Sequence, residues 1–101
     1  MMEAWIGLAH VKPRIGNDLL EGAAGAFVPV VAIAEDFDRF LSVVYNYLHK
    51  YQFEIIGVED VELFREREEH DTVDEDIRDL VNRLTHEAPI ALSMFEAYET
   101  E

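Results

Sequence analysis

The sequence predicts a single α+β domain over residues 1–101, a two-layer α/β sandwich with about four strands in a mixed sheet and two helices on one face. Three observations support this class: several short β-prone apolar runs, two stretches with apolar residues at three- and four-residue steps, and the order ββαβαβ in which they occur. Half of the residues are hydrophobic and 11% are aromatic, which suffices for one core and argues against disorder.

The first two predicted strands are separated by a glycine-rich connection. Residues 4–11 form a short apolar run that ends before Pro13, where the proline ring discourages a central strand. Residues 16–25 are rich in turn-forming residues and predict an irregular loop. Residues 26–34 are apolar at nearly every position, which is typical of a buried strand, and Pro29 within them indicates an edge or a bulge.

A helix and a third strand follow directly. The predicted helix carries one apolar stripe with helical spacing, made of Phe37, Phe40, Leu41, Val44, Leu48 and Tyr51. Acidic residues precede its first turn and His49 and Lys50 lie in its last turn, which suits the helix dipole. Residues 53–58 are β-prone, so strand two, helix one and strand three predict a right-handed crossover unit with parallel strands.

The C-terminal part predicts a second helix and a fourth strand. Residues 62–70 are interpreted as a frayed helical turn or a loop. Thr72 and Glu75 have the spacing of a capping box, which predicts a helix over 73–86. Its buried stripe consists of Ile77, Leu80, Val81 and Leu84. Pro89 ends it, and residues 90–98 predict a strand. The layout resembles ferredoxin-like domains in architecture, although the order differs from βαββαβ.

The negative charge is concentrated in one segment. Residues 59–79 contain eleven Asp and Glu against three Arg, in a chain of net charge −14. Such a surface repels nucleic acid and anionic membranes, so we expect neither as a partner and favour a basic protein. The predicted partner-binding residues are Glu66, Glu68, Glu69 and Asp71, together with Tyr45 and Tyr47 as aromatic interface anchors on helix one. In size and acidity the chain is similar to bacterial immunity proteins that block nuclease toxins, and an inhibitor that mimics DNA would carry the same charge.

Motifs for catalysis or cofactors are missing from the sequence. The acidic segment lacks the alternating ligands and glycine of a calcium loop, and the glycines of the loop do not form a phosphate-binding motif. The four histidines have no metal-binding spacing, and without Cys there are no disulfides or thiolates. We therefore expect no metal, no cofactor and no catalytic residue. The longest apolar stretch, 22–34, is too short to span a bilayer, so a cytoplasmic protein is expected.

Three functional hypotheses remain open. The first is a small acidic cytoplasmic protein-interaction module of the immunity-protein kind, acting by binding rather than catalysis. The alternative is a small-ligand-binding or enzymatic domain, with a pocket between the sheet and the loop 16–25 and Asp18, Glu21, His10 or His49 as its polar groups. The third, compatible with either, is a homodimer in which strand two or strand four pairs across a two-fold axis.

Overall fold

In the computed structural model, which describes residues 2–16, 20, 22–70 and 73–99, the chain forms an α+β domain with an open sheet. The described residues contain five strands and three helices. In chain order these are β1 (Glu3–Pro13), β2 (Gly25–Ala34), α1 (Phe37–Lys50), β3 (Phe53–Leu63), α2 (Phe64–His70), α3 (Glu75–Asn82), β4 (Ile90–Leu92) and β5 (Glu96–Tyr98). The α+β class is thereby confirmed.

The sheet has the order β3-β1-β2-β4, and β5 also pairs with β2. Every strand pair is antiparallel, so the predicted mixed sheet is wrong. Strands β2 and β3 do run parallel, as the crossover unit requires, but β1 lies between them. The reason is that β1 and β2 form an antiparallel hairpin. Strand β1 therefore occupies the position beside β2, and β3 pairs with the other side of β1. The ferredoxin-like order is not confirmed by this sheet.

Pro29 lies in an interior strand rather than at an edge. Strand β2 pairs with β1 on one side and with β4 and β5 on the other. The prediction that Pro29 marks an edge strand is therefore wrong. The carbonyl of Pro29 accepts a hydrogen bond from the Ser93 amide at 2.9 Å, which places the missing N–H of the proline on the same side. That side faces the interruption between β4 and β5, where no ladder donor is required.

Helix α1 covers the first face of the sheet. Its residues Phe40, Val44 and Leu48 are fully buried against apolar strand residues such as Val11 and Val28. The helix begins where the Asp36 carboxylate accepts a 2.8 Å bond from the Arg39 amide. Phe37 and Tyr51, predicted within the buried stripe, are 47% and 45% exposed; Phe37 is the first residue of the helix and Tyr51 is its C-cap.

The second face carries α3, so the prediction of helices on one face is wrong. Leu80 of α3 packs with Ile6 of β1 and Val31 of β2, which form a core cluster separate from the one beneath α1. Side chains alternate along a strand, and both the odd and the even positions of β2 are apolar. Both faces of β2 therefore carry apolar side chains that need to be buried, and a helix layer on one face leaves the other face exposed to solvent.

The helices of the acidic segment differ from the prediction. Residues 64–70 form α2, and α3 spans eight residues rather than fourteen. Thr72, predicted as a cap, lies outside the described residues. Asp74 is the N-cap of α3, and its side chain makes no capping hydrogen bond. None of the helices in the described residues has the length and apolar character needed to cross a membrane.

Candidate functional site

Part of the second sheet face forms a groove lined by aromatic side chains. The α3 cluster lies over Ile6 and Val31. At the other end of the two strands, near the loop that joins β1 to β2, His10 and Phe27 lie on the same face. Tyr98 of β5 lies beside them. We call this the aromatic groove.

The three rings are held together by the register of the strands. His10 and Phe27 are direct partners in the β1–β2 ladder, and their rings stack at 4.3 Å with an interplanar angle of 17°. The ring of Tyr98 lies 5.7 Å from His10 and 5.9 Å from Phe27, tilted against both. These separations are typical of favourable aromatic pairs, so the sheet presents a preformed aromatic surface.

His10 and Tyr98 also share a hydrogen bond. His10 Nε2 and the Tyr98 Oη are 2.6 Å apart; either the ring N–H donates to the hydroxyl oxygen or the hydroxyl donates to the ring nitrogen, according to the tautomer. The bond joins residues that are 88 positions apart in the sequence. It fixes both side chains, and it brings two groups that can exchange protons to one side of the groove.

Gly25 allows Tyr98 to take this position. The two residues are partners in the β2–β5 ladder, and the tyrosine ring lies over the glycine. A Cβ on Gly25 would come within 2.6 Å of the Tyr98 Cζ and 2.8 Å of the Val11 carbonyl oxygen, both closer than real Cβ contacts allow. The absence of a side chain at residue 25 is thus a condition for the arrangement of the groove.

The groove has the size and lining of a small-molecule site. Its volume is about 710 Å³, within the range of roughly 300–1,000 Å³ that is common for ligand pockets. It is lined by His10, Lys12, Phe27, Ile56, Glu96, Ala97 and Tyr98. Gly57, the ladder partner of His10 on β3, has open space where a side chain would project. The groove is therefore apolar along its aromatic side, with a carboxylate and an ammonium among its polar groups.

The predicted acidic residues lie elsewhere, on α2. Glu66, Glu68 and Glu69 are all exposed there. Glu68 accepts a 2.5 Å bond from the Arg78 guanidinium of α3. Asp71 lies outside the described residues. No group of carboxylates and histidines with metal-binding geometry is present in the part of the chain that the structure describes.

All three arginines of the acidic segment have a glutamate partner. Arg65 donates to Glu3 at 2.6 Å, Arg67 pairs with Glu62, and Arg78 pairs with Glu68 as above. The hydrogen bond and the charge of Glu3 raise the pKa of Arg65 above its usual value, and the charges of Glu66 and Glu69 add to this. These pairs lie at or near the surface, where solvent screens the charges, so they stabilise the fold little. They do pair each of the three arginine charges of the segment with a carboxylate.

The predicted aromatic anchors are separated from these acids. Tyr45 and Tyr47 belong to α1 on the first sheet face, whereas Phe64 at the start of α2 packs into the cluster on the second face. Tyr45 is 43% exposed, while Tyr47 is half-buried against the core and its ring lies 4.9 Å from that of Tyr51. Burial raises the pKa of Tyr47, and Tyr51 raises it further. Among the described residues of the predicted partner-binding set, the tyrosines and the glutamates therefore lie on different elements, α1 and α2.

Of the residues predicted for a pocket near the loop, His10 lies in the groove. His49 lies on α1, where its Nδ1 accepts a hydrogen bond from the Arg14 guanidinium at 3.2 Å, while Asp18 and Glu21 are outside the described residues. Phe27 and Tyr98 were not predicted as site residues. Phe27 could have been identified from the sequence, because a hairpin register that pairs it with His10 places both side chains on one face. The position of Tyr98 depends on the long-range pairing of β2 with β5.

Comparison with known proteins identifies no relative of this chain. No protein-family model, no curated protein and no solved structure matches the chain. The residues of the aromatic groove and of the acidic segment are therefore the basis for inferring a function.

Proposed function

We propose that this protein binds a small ligand with an apolar, flat body in the aromatic groove. The observation that carries the proposal is the concave surface made by His10, Phe27 and Tyr98 on the second sheet face. This develops the alternative of a ligand pocket near the loop 16–25, with His10 as one of its polar groups. It makes the protein a binding protein and requires no chemical step.

The groove is formed before any ligand binds. The hydrogen bond between His10 and Tyr98 and the strand register fix the rings, so little side-chain freedom is lost on binding. An aromatic ligand that stacks on Phe27 or Tyr98 gains on the order of 0.5–1.5 kcal/mol beyond the burial of its apolar surface. The hydroxyl and imidazole add a hydrogen-bonding position at the edge of the stack.

The test is a screen of small aromatic compounds against the isotope-labelled protein by nuclear magnetic resonance. Compounds that bind should shift the amide signals of His10, Phe27, Gly57 and Ala97, all in or beside the groove. Replacement of Phe27 by Ser should weaken such binding by about tenfold, since one stacking surface and its apolar area are removed.

The matched control is Tyr45→Ser, which truncates an exposed aromatic ring on the other side of the sheet. It should leave binding unchanged. Thermal unfolding of both variants establishes that each is folded under the conditions of the screen. Shifts that map to α1 or α2, or equal loss of binding in both variants, would contradict the groove as the site.

A second candidate function is the binding of a basic protein partner by the acidic segment, as in an immunity protein. The specific observation in its favour is that Arg65, Arg67 and Arg78 are all engaged by glutamates, while Glu66 and Glu69 remain exposed on α2. At these two positions a basic partner would meet exposed carboxylates whose neighbouring cation, Arg65, is already hydrogen-bonded to Glu3. The cytoplasm is the proposed setting for either function.

An affinity capture from the native lysate at low and high salt tests this second candidate. The variant Glu66→Gln/Glu69→Gln should lose a partner that salt also releases from the native protein. The control, Glu35→Gln/Glu87→Gln, removes the same number of charges outside the acidic segment and should retain that partner. Identical captures by both variants would reject the acidic segment as a binding surface.

A further inference from the structure

The carboxylate of Glu96 adds a charge to the aromatic groove. Glu96 is the ladder partner of Phe27 in the β2–β5 pair, lines the groove and is exposed to solvent. Glu59 of β3, the ladder partner of Leu8, is also exposed but does not line the groove. Among the described residues that line the groove, Glu96 thus supplies the carboxylate.

One cation, Lys12, also lines the groove. It lies two residues beyond His10 and opposite Glu54 in the β1–β3 register, and it has an interaction of its own within the chain. The ladder partner of Lys12 on the neighbouring strand is thus an acidic residue. The wider field is negative, because the whole chain carries −14.

Aromatic faces and carboxylates together favour one class of ligand. The faces of Phe27 and Tyr98 carry the negative part of the ring quadrupole and attract ammonium and guanidinium groups within about 6 Å. The field of an acidic protein raises the local concentration of cations and lowers that of anions. A neutral apolar compound gains from the rings alone. A cation gains from the rings, from Glu96 and from the overall field, and these contributions act against the repulsion from Lys12.

We infer that the ligand of the aromatic groove is a small organic cation, an ammonium or guanidinium group attached to an apolar body. The apolar body lies on Phe27 and Tyr98, and the charged group lies towards Glu96. The volume of about 710 Å³ suits a single small molecule rather than a protein segment. This inference rests on the proposed small-ligand function and specifies its ligand class.

Three probes of similar size and different charge test the inference. Benzyltrimethylammonium, benzyl alcohol and phenylacetate share a phenyl ring and carry a positive, a zero and a negative charge. Their affinities are measured by titration of the amide signals of the groove at about 0.15 M salt, where long-range field effects are screened. We expect the cation to bind roughly fivefold or more tightly than the alcohol, and phenylacetate to bind most weakly.

The variant Glu96→Gln separates the local carboxylate from the net charge. It should weaken binding of the cation by roughly threefold to tenfold and leave the alcohol unchanged. The control Glu87→Gln removes one charge from the loop between α3 and β4 and should affect neither probe. Both variants keep the shape of the side chain and are expected to fold.

The outcomes distinguish this inference from the function on which it rests. If all three probes bind in the groove with equal affinity, or if Glu96→Gln acts no differently from Glu87→Gln, the cation preference is wrong and the ligand site stands. If none of the probes shifts the groove signals while the screen of aromatic compounds finds neutral ligands there, the preference is again wrong. Absence of binding by every compound in both experiments rejects the ligand site itself.

Discussion

At the scale of single residues, the shape of the groove depends on Gly25. A methyl group at this position would meet the Tyr98 ring and the Val11 carbonyl oxygen, and the second of these belongs to the backbone and cannot rotate away. We expect Gly25→Ala to lower the free energy of unfolding by about 1–3 kcal/mol and to displace Tyr98. Chemical denaturation measures the first effect, and loss of the His10–Tyr98 contact in nuclear Overhauser spectra measures the second.

Gly57→Ala is the matched control, since Gly57 is also a strand glycine and no atom lies within 4 Å of the added carbon. It should change the stability by less than about 1 kcal/mol, and the entropy that an alanine removes from the unfolded chain favours a small gain. Equal destabilisation by both variants would show that the cost arises from strand glycines in general and not from the contact with Tyr98.

Tyr47 links stability to alkaline pH. Its pKa is raised above 10.0 in the folded protein by burial and by Tyr51, so the unfolded state releases the phenol proton first as the pH rises. The stabilising effect is present below pH 10.0 and is lost as the pH rises from there through the folded-state pKa. We expect Tyr47→Phe to lose less stability than the native chain between about pH 9 and 11, measured as urea midpoints.

The exposed Tyr45, two residues earlier on the same helix, provides the comparison for this measurement. Tyr45→Phe makes the same substitution at an exposed ring and controls for the loss of a tyrosine hydroxyl from this helix. A slope that falls equally in both variants would assign the pH dependence to tyrosines at large and contradict a specific effect of burial at Tyr47.

At the scale of elements, the two sheet faces differ in how much apolar surface they bury. Phe40 of α1 is fully buried in the larger cluster, and Leu80 of the short α3 is 9% exposed in the smaller one. Phe40→Ala should cost about 3–5 kcal/mol and Leu80→Ala about 2 kcal/mol. A domain of this size has roughly 5–15 kcal/mol of stability, so the first variant approaches unfolding and the second remains folded. Guanidinium denaturation of the two alanine variants tests this order, and a larger loss at Leu80 would contradict it.

Element type was predictable for the long segments because their apolar periodicity is strong. Helix α1 and strands β1 and β2 occur close to where the pattern places them. Strand β3 begins at the predicted residue but continues to Leu63, five residues beyond the predicted end, through the acidic residues that were expected to interrupt it. The sheet faces were not predictable to the same degree, because β2 is apolar at consecutive positions and its pattern does not say which face a helix covers. Pairing order was also open, since the hairpin of β1 with β2 competes with a parallel crossover that fits the same sequence.

The candidate site was predicted in part. His10 was identified as a polar group of a pocket near the loop, and the structure places it in the groove. Tyr98 was assigned only to strand four, and that strand is interrupted opposite Pro29, so its register with β2 does not follow from an unbroken alternation. The acidic segment was predicted as a binding surface from its composition. Composition alone does not show that each of its three arginines is paired with a glutamate.

At the scale of the whole molecule, the open sheet has two edges of different character. Strand β3 at one edge carries Glu54, Glu59, Asp60 and Glu62 and no basic residue, so two copies would repel each other there. The other edge is formed by β4 and β5, and β4 has no charged residue. Strand two, one of the two strands predicted to pair across a dimer axis, is interior and has no free edge.

We therefore expect the predicted homodimer, if it forms, to use the edge made by β4 and β5. Met94, in the short connection between these strands, is 83% exposed and would be covered by a second copy. Met94→Asp should shift the dimer to monomer by placing two like charges near the axis, as measured by light scattering across a concentration series. Phe37→Asp adds the same charge at an exposed apolar residue of α1 and should leave the dimer intact. A native chain that stays monomeric at the highest concentration would contradict the dimer, while dissociation by both variants would assign it to net charge rather than to this edge.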